Sequence, residues 1–165
     1  TGRPAGEYRD FAFHRWANFR PELWDEVVEE AAGRIETRND VFCFGSDIDV
    51  EATAAASENE KLAEVDSITQ FRRRSVGEIE PPTPTSGLVV CNPPYGHRLD
   101  SEVEGATPWR QLIERFATNF DDWRLALILP RELTPGHGRL RFDDLVDFDN
   151  GGIPVRLWVG EHREA

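Results

Sequence analysis

The run Gly87-Leu88-Val89-Val90-Cys91-Asn92-Pro93-Pro94-Tyr95 decides how this chain is read. Gly87 to Cys91 is apolar on consecutive positions, the pattern of a strand covered on both faces and so of a parallel sheet. Asn92-Pro93-Pro94 must end that strand, because neither proline has an N–H to give to a ladder. Open α/β sheets place their ligand crevice just past the carboxyl ends of such strands. There the prolines leave backbone carbonyls free to accept hydrogen bonds, and Asn92 adds an amide oxygen. Tyr95 adds an aromatic face for a base, a stacking contact of about 1–3 kcal/mol. The four residues make an acceptor-rich cradle for an amino group beside a stacking platform. The alternative is a rigid strand-ending turn with a packed tyrosine.

Working outward, apolar spacing predicts a helix after Pro21, carried by Leu23, Trp24, Val27, Val28 and Ala31 and stopped near Gly33. Val41 to Phe44 reads as a buried strand ending in a Gly45-Ser46-Asp47 turn. An alanine-rich helix is expected from Val50 to Val65, with Asp49 its N-cap, and a short strand from Ile68 to Phe71. Glu78 to Ser86 is Pro-rich loop. Beyond the quoted run, a polar loop to Thr107 precedes a helix carrying Trp109, Leu112, Ile113, Phe116 and Phe120. Leu125 to Leu129 is another buried strand, and Pro135 to Gly138 a turn. Leu140 to Phe148 and Pro154 to Val159 form a hairpin around Asn150-Gly151-Gly152. Helices alternating with strands predict an α/β fold, its mostly parallel sheet closed by an antiparallel hairpin.

A length of 165 residues suits one domain. Five tryptophans and ten phenylalanines argue against disorder. No apolar run approaches the roughly 20 residues that span a bilayer, and no signal peptide opens the chain, so a cytoplasmic protein is expected. Cys43 and Cys91 sit in apolar runs as buried free thiols, and His14, His97, His137 and His162 lack metal-ligand spacing; no metal is expected. With 31 acidic against 19 basic residues, net charge −12, the chain lacks the basic face of a phosphate-gripping protein. Any nucleic-acid substrate would find most of its phosphate contacts elsewhere. Arg72-Arg73-Arg74 is either one small phosphate contact or a solvated basic turn.

The strand ending in Asn92-Pro93-Pro94-Tyr95-Gly96 resembles motif IV of the amino-methyltransferases that use S-adenosylmethionine. Its continuation through Arg98-Leu99 is similar to the THUMP-associated (UPF0020-type) rRNA guanine-N2 methyltransferases. The resemblance runs from Pro4-Ala5-Gly6 through Arg9, Phe11, Phe13 and Trp16 to the terminal hairpin at Asn150-Gly151-Gly152-Ile153. It implies a Rossmann-like class I methyltransferase sheet, with residues 1–165 a partial catalytic domain carrying motifs II to VIII. It implies methyl transfer from S-adenosylmethionine to an exocyclic base amine, with rRNA as partner, Asn92, Pro93, Pro94 and Tyr95 as the catalytic set, and Asp47 binding the cofactor ribose. Ile48 would then pack on its adenine. Read without the resemblance, Asp47 could equally cap the helix that follows it.

Two departures stand out. Where the family has an aspartate after its third strand, alignment places Ser75. The Gly-rich motif that holds the donor's methionine part is absent, and with it the first strand, which the family sets between the second and fourth. Since the sequence contains no methionine, that strand and an RNA-binding domain are expected upstream in the same gene product. The fragment alone would then be inactive. Two other readings stay open: transfer to adenine N6 or a glutamine amide, which use the same cradle, and a non-catalytic RNA-binding scaffold.

Overall fold

The computed structural model describes residues 9–36, 43–94 and 107–163. Two compact units divide the chain, Thr1–Arg73 and Arg74–Ala165.

The first unit opens on an aromatic knot. A short 3-10 turn at Ala12–Arg15 leads into helix α1, Pro21–Ala32. Phe11, Phe13, His14, Phe19 and Trp24 meet there edge-on, tilted or stacked, with Phe13 and Trp24 centroids 5.2 Å apart. Pro21 starts α1 because its missing N–H would lack a helical partner anyway, and Gly33 caps the far end.

Strand β1, Cys43–Asp47, pairs in parallel with β2, Thr69–Arg73, in the register Cys43↔Thr69 to Asp47↔Arg73. The expected turn at Gly45-Ser46-Asp47 is therefore strand. Gly45 is a contact glycine here: a Cβ on it would lie 2.5 Å from the Phe71 ring, so that ring lies over the bare backbone. Nor is β1 buried as expected: Cys43 and Phe44 are exposed, and among the described residues this strand pairs with β2 alone. Arg72 and Arg73 belong to β2 rather than to a basic turn. Helix α2, Val50–Leu62, stops short of the expected Val65, with Glu64 in the left-handed region at φ 51°.

In the second unit the strand order is β3-β4-β6-β5, for Leu88–Cys91, Arg124–Pro130, Ile153–His162 and Leu140–Asn150. β3 and β4 are parallel, and β4–β6 and β6–β5 antiparallel, giving the expected closure by a reversed hairpin. Gly151 and Gly152 both have positive φ, 63° and 87°, which a two-residue type I′ turn demands at both central positions. A bulge lies between Asp144 and Val146 on β5. Asp147 accepts from Arg156 across the hairpin and from Arg131 just after β4, so one carboxylate ties three strands. Those hydrogen bonds, Arg156 first and then Arg131, hold its carboxyl well below the usual carboxylate range.

Between β3 and β4 the chain forms helix α3, Pro108–Asn119, which buries Trp109, Leu112, Ile113, Phe116 and Ala117. That helical spacing makes one stripe. It packs into a single core with Leu125, Leu127 and Leu129, the alternate residues of β4, and with Leu140 and Trp158 of the hairpin. β3 departs from expectation: Val89 and Cys91 pack on this core, but Leu88 and Val90 are 55% and 69% exposed. Its other face is uncovered among the described residues.

Phe116 has no exposed surface at the centre of this core. Phe116→Ala is expected to lower the stability of the second unit by about 3–5 kcal/mol, the cost of deleting a buried ring. Urea unfolding followed by tryptophan fluorescence checks this, and a loss below about 1 kcal/mol would contradict the packing.

Candidate active site

Among the described residues, Asp47 and Ile48 lie at the end of β1 in the first unit, and Asn92, Pro93 and Pro94 follow the end of β3 in the second. In the first unit the end of β1 is built by three hydrogen bonds. The Asp49 backbone N–H donates to Asp47 Oδ1 at 2.9 Å. The Glu51 N–H donates to Asp49 Oδ1 at 2.8 Å, which makes Asp49 the N-cap of α2 and settles the capping question for Asp47. From β2, Arg73 Nε donates to the Ile48 carbonyl at 3.0 Å. Asp47 is exposed, and Ile48 is 67% exposed, unusual for a large apolar side chain. A carboxylate beside bare apolar surface at a strand's carboxyl end suits a nucleoside: the carboxylate can accept from ribose hydroxyls and the apolar face can take a purine ring.

In the second unit β3 ends at Cys91, followed by exposed Asn92, buried Pro93 and exposed Pro94. The sequence-expected cradle thus begins at the carboxyl end of a strand. Tyr95, His97, Arg98 and Leu99 lie outside the described residues. Ser75 heads a short 3-10 turn, Val76–Glu78, and its hydroxyl accepts from the Gly77 N–H at 3.4 Å. A hydroxyl so used keeps its own proton to donate. That turn packs beside α3, and Arg115 of α3 donates through Nε to the Ile79 carbonyl at 2.7 Å, fixing where the Pro-rich loop leaves it.

No cluster of His, Cys, Asp and Glu that could hold a metal occurs among the described residues. No described helix is long and apolar enough to cross a membrane. Cys91 adjoins Asn92, and burial pushes its thiol up to about 11. It is therefore a protonated thiol at neutral pH rather than a nucleophile. Sequence reasoning passed over Arg73, counted only within a basic run. Its signal is its place opposite Asp47, a register that no local pattern shows.

The model of the UPF0020 RMKL-like methyltransferase domain matches residues 2–135. The chain belongs to this family. Within it, the chain is 35% identical over 146 residues to the ribosomal RNA large subunit methyltransferase K/L of Shewanella sp. strain ANA-3, and 34% over 153 residues to that of Shewanella oneidensis. The matches take in 87% and 91% of this chain but only 20% and 21% of those proteins. Among solved structures, SMU.472, assigned as a methyltransferase and solved in complex with SAH, superposes with a TM-score of 0.70 at 20% identity, over 96% of this chain and 42% of that one. A possible methylase from Clostridium difficile 630 gives 0.69 at 22%, over 96% and 41%. At such identities the likeness speaks for the fold, a Rossmann-like methyltransferase sheet; among the described residues no strand precedes β1.

The Cys91 thiol gives a pH test. Its ordinary value is 9.0 and its folded value about 11, so between them the unfolded chain binds fewer protons than the folded one. Stability is thus full below about pH 9 and falls as pH rises toward about 11. Cys91→Ala should flatten that fall relative to the unsubstituted chain in urea titrations at stepped pH. An equal fall in both proteins would count against a buried thiol here.

Proposed function

We propose that this protein transfers a methyl group from S-adenosylmethionine to the exocyclic N2 amine of a guanine in large-subunit rRNA, with Asn92, Pro93, Pro94 and Tyr95 as the catalytic set. The observation that carries the reading is Asn92-Pro93-Pro94 at the carboxyl end of β3 in a chain of a methyltransferase family. The RNA substrate is supported by the names of the relatives, ribosomal RNA large subunit methyltransferases. Guanine N2 is supported by the Gly96-His97-Arg98-Leu99 continuation. Such a substrate places the protein in the cytoplasm.

The sulfonium donor, when bound, supplies an activated methyl group. An exocyclic amine is a poor nucleophile because its lone pair is delocalised into the ring. The Asn92 amide oxygen and the Pro93 carbonyl accept its two N–H bonds, which favours a pyramidal nitrogen and turns the lone pair out of the ring plane. Tyr95 stacks on the base. Most of the rate gain is then positioning and fixed dipoles, with no covalent intermediate on the protein. Asp47 and Ile48 fit the ribose and adenine of the donor, and the Ser75 hydroxyl has a proton to offer the adenine ring. SMU.472, solved with SAH, shows that a protein of this fold takes the demethylated donor.

The sequence carries no Gly-rich motif of the kind that holds the donor's methionine end, and its net charge of −12 is unsuited to gripping RNA phosphates. The chain spans about a fifth of its curated relatives. We assign both tasks to the remaining length that such relatives carry beyond the matched fifth.

Asn92→Ala in the complete gene product should lower transfer at least about a hundredfold, as loss of one fixed catalytic hydrogen-bonding group does, while SAH affinity by calorimetry changes only a few-fold. Transfer near the unsubstituted rate would remove this mechanism. Mass spectrometry of rRNA from a deletion strain assigns the target, and an unchanged N2-methylguanine content there would rule out guanine N2.

A further inference from the structure

We propose that Arg73 is a positioning residue for the cofactor turn: from β2 it clamps the Ile48 carbonyl, so that Ile48 and Asp47 are preset for the nucleoside before it binds. The inference rests on the reading of Asp47 and Ile48 as the nucleoside-binding turn.

The ladder between β1 and β2 ends at the pair Asp47↔Arg73. One residue further on, the Ile48 carbonyl lies beyond the last pair and has no place in the ladder. Arg73 Nε supplies its donor at 3.0 Å from across the strand pair. The two neighbouring residues are held independently, Asp47 through its carboxylate to the Asp49 N–H and Asp49 through its carboxylate to the Glu51 N–H. Three consecutive residues are thereby tied to the neighbouring strand, to their own turn and to α2. Without the Arg73 bond, water becomes the carbonyl's partner and the Ile48 peptide plane can rotate. Both the apolar face and the carboxylate would then have to be ordered when the ligand arrives. A turn ordered beforehand spares that entropy at binding.

The bond comes from Nε rather than from the terminal nitrogens, and this defines the test. Glutamine carries its amide nitrogen the same number of bonds from the backbone as Nε, so Arg73→Gln keeps a neutral donor in place. Arg73→Met keeps the length and removes the donor. In the complete gene product, Arg73→Met should raise the SAH dissociation constant and the KM for S-adenosylmethionine about fivefold, with kcat and the KM for RNA unchanged. Arg73→Gln should stay within about twofold of the unsubstituted protein, since the hydrogen bond is kept.

Equal weakening in the Gln and Met variants would overturn the proposal, because charge would then be what matters. Unchanged SAH binding in Arg73→Met would overturn it too. A lowered melting temperature with parallel losses toward both substrates would overturn it in favour of a merely structural bond. Asp47→Ala, measured alongside, separates the two levels of failure. If it binds SAH normally, the nucleoside reading of the turn is wrong; if it loses binding while Arg73→Met does not, only the role of Arg73 falls.

Discussion

The parallel pairing of β3 with β4 is the constraint on which the second unit depends. Parallel neighbours cannot be joined by a tight turn, so the chain between them must leave the sheet and return. Helix α3 makes that crossing, and its stripe from Trp109 to Ala117 covers the sheet that the pairing creates. β4 is then buried along Leu125, Leu127 and Leu129, with β3 on one side and β6 on the other. The prolines after Asn92 end β3 opposite Leu127, and that register sets where along β4 the proposed cradle begins. The chemistry proposed for Asn92 is thus positioned by hydrophobic packing on a helix later in the chain.

The first unit is organised differently. Among its described residues only Ile68 is buried, and order at the turn after β1 comes from hydrogen bonds near the surface. Individually such bonds contribute about 1 kcal/mol or less. Chained through Asp47, Ile48 and Asp49, they specify a conformation more than they stabilise a fold. The proposed acceptor cradle at the end of a half-packed strand and the proposed nucleoside turn held by hydrogen bonds suit their partners: positioning a weak nucleophile demands geometry, whereas a nucleoside is held by a few directed contacts.

Much of this was legible in the residues. Helix α3 and the hairpin were readable because apolar spacing and the Asn150-Gly151-Gly152 turn are local signals that packing reinforces. The Asp49 cap and the start of α1 at Pro21 follow from terminal N–H groups that need a partner or must be absent. Gly45 misled because a glycine before serine and aspartate looks like a turn, while its actual reason, the ring of Phe71, lies on another strand. The expected double coverage of β3 failed on Leu88 and Val90 because an apolar run shows what a strand can bury, not what lies over it. Ser75 was placed only by alignment, and its capping bond to Gly77 is a detail no periodicity carries.

The Pro93-Pro94 pair has a consequence apart from catalysis. Among the described residues β3 is hydrogen-bonded to β4 alone, and its apolar Leu88 and Val90 are exposed. Such an edge is open to a further strand, and the first strand of the methyltransferase sheet is the partner that the family resemblance implies for it. Two residues without N–H groups close that edge soon after Cys91, so a strand pairing there meets a ladder of four residues. The motif proposed to free carbonyls for a substrate amine thus also sets how far a strand can pair along β3, so replacing either proline would let pairing run on into the proposed cradle.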